Sequence, residues 1–77
     1  MKIYDTESKR VLSDITLFLT PREAEELAAA AQALANDPGQ HHTHVSDAGY
    51  QVEITVAVYT PETLGQFDDE SRRVING

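Results

Sequence analysis

Residues His41–Thr60, HHTHVSDAGYQVEITVAVYT, decide the fold. Val52, Ile54, Val56 and Val58 alternate with polar or small residues, the period of a strand with one buried face. Ahead of them Asp47, Ala48 and Gly49 signal a turn, and His41–Val45 precede it, so the stretch reads as a β-hairpin carrying all three histidines of the protein.

The loop length sets which side chains share a face. A three-residue loop, Asp47–Gly49, would put His42 and His44 opposite Ile54 and Val52 and bury both. A four-residue loop, Ser46–Gly49, with Gly49 in the left-handed region, pairs Thr43 with Val52 and His41 with Ile54. His42 then faces Glu53, and His44 faces Gln51. A two-residue loop keeps the same faces but asks Ala48 for a positive φ, at about 1 kcal/mol or more. The four-residue loop is therefore the expected one. In every even-loop register His42, His44 and Glu53 share one face, and His41 turns to the other.

Upstream, Lys2–Asp5 and the alternating Val11, Ile15, Leu17 and Leu19 make a first hairpin, with its turn at Glu7 and Ser8. Thr20, Pro21 and Glu23 then form a capping box with proline at the first helical position, the strongest local signal in the chain. Ala24, Leu27, Ala28, Ala31, Leu34 and Ala35 supply the apolar stripe of the helix that follows, with Leu27 and Leu34 as anchors. Asn36, Asp37, Pro38 and Gly39 end it. After Thr60, a helical turn over Pro61–Leu64 and a second, capped by Asp68, are expected; a frayed tail is the rival.

The resulting expectation is a single α+β domain over residues 1–77. Its order is ββαββ, with a four-stranded antiparallel sheet in the order 1-2-4-3, one helix on one face, and a short helical or irregular C-terminal tail. Strand parity places Leu12, Phe18, Ala57 and Tyr59 on the open face, beside His42, His44 and Glu53.

Composition narrows the function. The net charge is −7, from 13 acidic and 6 basic side chains, and the basic residues are scattered, which disfavours phosphate backbones and anionic membranes. There is no cysteine, so disulfides and thiolate metal sites are excluded. No run reaches the roughly 20 apolar residues of a membrane span, and MKIYDTESKR lacks the apolar region of a secretory signal, so a cytoplasmic setting is expected.

Two surfaces can carry chemistry. His42 and His44, i and i+2 on a strand, lie about 6.5–7 Å apart on one side, and with Glu53 across the hairpin they form a candidate zinc or nickel site. The plainer reading is a solvated strand with polar side chains. A histidine surface also responds to mild acid, since free imidazole takes its proton near pH 6.5. Leu12, Phe18, Ala57 and Tyr59 form a candidate interface, because an exposed apolar patch usually meets a partner. The rival is that the C-terminal tail covers that face with Phe67 and Val74. Ser46, His44 and Asp47 are too close in sequence for a hydrolytic relay, and the acidic run Asp68–Glu70 has a helix-capping role, so no enzyme is expected. The sequence thus points to a small acidic protein-interaction module that pairs with itself or another protein. A histidine-based metal-binding or pH-responsive module is the alternative.

Overall fold

The computed structural model describes all residues from Met1 to Gly77. Four strands, β1 (Ile3–Asp5), β2 (Arg10–Leu12), β3 (His42–Ser46) and β4 (Glu53–Ala57), accompany two helices, α1 (Pro21–Asn36) and α2 (Asp69–Asn76). Short 3-10 turns cover Pro38–Gln40 and Leu64–Gln66. The fold is α+β, but the strands form two separate two-stranded antiparallel sheets, β1-β2 and β3-β4. The expected single sheet in the order 1-2-4-3 does not form.

The reason lies between β2 and α1. The first hairpin turns where expected: the Asp5 carboxylate accepts from the Glu7 N–H (3.0 Å), the Ser8 N–H (3.4 Å) and the Ser8 hydroxyl (2.7 Å). Lys9 takes φ 61° and the chain returns with Ile3 opposite Leu12. That ladder occupies Arg10–Leu12 and stops. Ile15–Leu19, expected to be the second strand, takes no regular secondary structure and is hydrogen-bonded to no strand of this chain.

Helix α1 begins on its capping box, as the sequence predicts. The Thr20 hydroxyl accepts from the Glu23 N–H (3.2 Å), and the Glu23 carboxylate accepts from the Thr20 N–H (2.9 Å). Its contact line is narrower than the predicted stripe. Leu34 is buried and Leu27 and Ala30 are half-buried, whereas Ala24, Ala28, Ala31 and Ala35 stay exposed. The alanines occupy an arc about 100° round the helix from that line, so they flank the contact instead of making it. Along that line the helix packs against β3 and β4.

The β3-β4 hairpin keeps the predicted faces and changes the predicted register. His44 pairs with Thr55, His42 with Ala57, and Val45 with Ile54, around a six-residue loop, Asp47–Val52. The Asp47 carboxylate organises that loop by accepting from the Gln51 (2.9 Å) and Val52 (3.2 Å) N–H groups. The left-handed residue is Tyr50 (φ 55°), not Gly49. Six is an even number, so Thr43, Val45, Ile54 and Val56 still turn inward and His42, His44, Glu53 and Ala57 outward. Leu34, Val45 and Phe67 are the only buried side chains.

Candidate functional site

The outward face of β3 and β4 carries the histidines. His41 adopts φ 48°, which breaks strand alternation at the entry to β3 and swings its ring toward that of His42. The expectation that His41 turns to the helix side is thereby corrected. The two rings stack with centroids 4.6 Å apart, and their Nδ1 atoms lie 2.8 Å apart, one donating and the other accepting. The His42 and His44 rings meet edge-on at 5.2 Å. His41 also packs its ring against Phe67, at 5.1 Å.

Glu53 reaches His44 on a diagonal of the shifted register, with its carboxylate 2.5 Å from His44 Nδ1, while the Thr55 hydroxyl lies 2.9 Å from the same nitrogen. His42, His44 and Glu53 are thus brought to one face, as predicted. Glu53, however, is the hydrogen-bond partner that orients His44, the part a carboxylate takes behind a ligating imidazole. No group of three or more His, Cys, Asp or Glu side chains is arranged to hold a metal ion.

The four predicted interface residues are divided. Ala57 and Tyr59 line a hollow of about 510 Å³ with Tyr4, Phe67, Val74 and Ile75, so the C-terminal segment lies against this face. Phe18 is on the other side, where with Leu19 it borders a smaller hollow against Val45, Val52 and Ile54. Leu12 is half-buried in β2. Phe18 departs from its predicted face because its segment never joined the sheet whose parity assigned it.

A third cluster escaped sequence reasoning. The Tyr4 hydroxyl donates to Glu70 Oε2 (2.5 Å), and Lys9 Nζ reaches the same oxygen (3.0 Å), tying the first hairpin to α2. The Tyr4 hydrogen bond, followed by that from Lys9, holds the Glu70 carboxyl below its ordinary range. In turn, Glu70 raises the Tyr4 hydroxyl and the Lys9 ammonium above theirs. Asp68 caps α2 by accepting from the Ser71 N–H (2.8 Å), and its hydrogen bonds with Ser71 lower its carboxyl.

The surface as a whole is open. It amounts to 5997 Å² for 8.5 kDa, about 1,300 Å² more than a compact monomer of that mass exposes. No helix is long and apolar enough to cross a membrane. Set beside known protein families, curated proteins and solved structures, the chain matches none.

Proposed function

We propose that the chain is a small acidic, non-catalytic protein-interaction module of the cytoplasm that works as a homodimer, joined through an edge strand or through the part of the sheet face that the C-terminal segment leaves open. The excess of exposed surface carries this reading. A standard interface takes about 800 Å² from each partner, so the excess is enough for one. Much of it is apolar: Val11, Ile15, Leu17, Phe18, Val52 and Tyr59 are all exposed. A chain with three buried side chains also gains from association what its own core does not supply. His44 and Glu53, each about half exposed (51% and 54%), are accessible to a partner, which supports the binding reading. The mass in solution tests the reading. Twice 8.5 kDa at micromolar concentration is expected, and a clean monomer overturns it.

The 5.2 Å approach of His42 and His44 favours a second reading, a transition-metal-binding or pH-responsive module using His42, His44 and Glu53. Zinc or nickel would be held by the two imidazoles, with Glu53 steering His44. Titration of either metal into wild type and into a His42→Ala, His44→Ala double variant decides it. Equal, weak binding by both removes this reading.

A further inference from the structure

The segment Asp14–Leu19 is backbone without internal partners. None of its six residues makes a hydrogen bond of any kind within the chain. The neighbouring pairs end with Ile3 opposite Leu12 on one side and begin with the Thr20 cap on the other. An unpaired connection is ordinarily polar and rich in Gly, Pro, Asn or Ser. This one reads DITLFL, with Ile15 and Leu17 each 45% exposed and Phe18 92% exposed. Its composition is that of a strand, and its N–H and C=O groups form no hydrogen bond within the chain. Such a row is a template for strand addition.

We propose that Asp14–Leu19 is the interface strand of the homodimer, pairing antiparallel with the same segment of a second copy about a two-fold axis at Leu17. The inference rests on the homodimer reading above and names its contact. Antiparallel pairing of identical segments is self-complementary, so it closes at two copies. The alternation selects the register. With the axis on Leu17, Ile15 lies opposite Leu19 of the second copy and Leu17 opposite its own equivalent, which gathers six large apolar side chains on one face. A register centred between Thr16 and Leu17 sets Leu19 against Asp14 and Leu17 against Thr16, and mixes the faces. Charge permits the approach, since Asp14 is the only ionisable residue between Val11 and Pro21. Apart from Asp14, the side chains that sum to the −7 of each copy lie elsewhere in the sequence.

The chain has no cysteine, so single-cysteine variants report the contact directly. Under mild oxidation Leu17→Cys is expected to form a covalent dimer about tenfold faster than Thr16→Cys or Phe18→Cys, whose equivalents stand a diagonal step apart. Leu17→Lys sets two like charges opposite each other at the axis. It is expected to weaken self-association at least about 100-fold while leaving the helical circular dichroism intact, because the segment takes part in no internal hydrogen bond. A monomeric wild type would overturn both this inference and the homodimer reading. A dimeric wild type whose Leu17→Cys variant crosslinks no faster than its neighbours, and whose mass survives Leu17→Lys, overturns the strand assignment alone and leaves the dimer to another face.

Discussion

The hydroxyl of Tyr4 donates to the carboxylate of Glu70 at 2.5 Å, joining residues 66 positions apart. Lys9 reaches the same carboxylate oxygen from the end of the β1-β2 turn, so one side chain of α2 holds β1 and the turn of the first hairpin. The ladder there is only three residue pairs, too short to persist alone. Tyr4→Phe and Glu70→Gln are each expected to raise amide hydrogen exchange in Ile3–Leu12 severalfold while leaving exchange in α1 unchanged. Unchanged exchange in the hairpin of both variants would show that it is held by something other than Glu70.

The same cluster sets a pH window. The Glu70 carboxyl lies lower in the folded chain than in the unfolded one, chiefly through the Tyr4 hydrogen bond. Its stabilising contribution is therefore present above the ordinary glutamate range and lost as pH falls through the lowered value. Tyr4 and Lys9 are raised by Glu70, so their contributions are present below their ordinary values and lost as pH rises through the raised ones. Asp5, lowered chiefly by its Ser8 hydrogen bond, adds to the acid limb. Attachment of the hairpin is thus strongest around neutral pH and weakens toward both extremes. In hydrogen exchange followed against pH, Glu70→Gln is expected to make the acid limb shallower. It does not abolish that limb, since Asp5 and Asp68 remain.

In the Asp47–Val52 loop the glycine and the strained residue are different residues. Tyr50 carries φ 55° and is 86% exposed, while no glycine in the chain has a positive φ. A non-glycine residue in that region costs about 1–2 kcal/mol, and asparagine tolerates it better than tyrosine. Tyr50→Asn is expected to stabilise the chain by up to about 1 kcal/mol. Gly49→Ala is expected to be neutral or gain a few tenths of a kcal/mol, because a Cβ there meets only Gln51 Cγ at 3.8 Å. Chemical denaturation of both variants checks the pair. A loss of more than about 1 kcal/mol on Gly49→Ala would return the left-handed position to Gly49.

These contrasts show which features the sequence makes legible. The α1 cap was readable because its chemistry is complete within Thr20–Glu23. The faces of the central hairpin were readable because a period of two survives any even shift of register, and the shift from Gln51 to Thr55 opposite His44 is even. The register itself was not, since it depends on one carboxylate, Asp47, gathering two amides across a six-residue loop. The alternation of Ile15, Leu17 and Leu19 announces a strand, yet no strand of this chain pairs with it. The Tyr4–Glu70 contact has no local signature, because nothing within a few residues of either requires the other. The gathering of His41 with His42 follows from a single positive φ at a position where the sequence offers no glycine.

Leu34 is 2% exposed and is the one buried side chain of α1, which packs against the hairpin whose own buried side chain is Val45. Leu34→Ala removes buried apolar surface and leaves a cavity, at about 2–5 kcal/mol, whereas half-buried Leu27 should cost about half as much. A domain of this size is stable by only about 5 kcal/mol or a little more, so Leu34→Ala should populate the unfolded state measurably at room temperature. Association adds a second dependence. If two copies share the apolar surface left open by so small a core, the melting midpoint rises with protein concentration, and Leu34→Ala regains part of its loss as concentration increases. Melting wild type and Leu34→Ala over a hundredfold range of concentration separates the contributions: a midpoint independent of concentration in both would leave Leu34 and its neighbours as the whole source of stability.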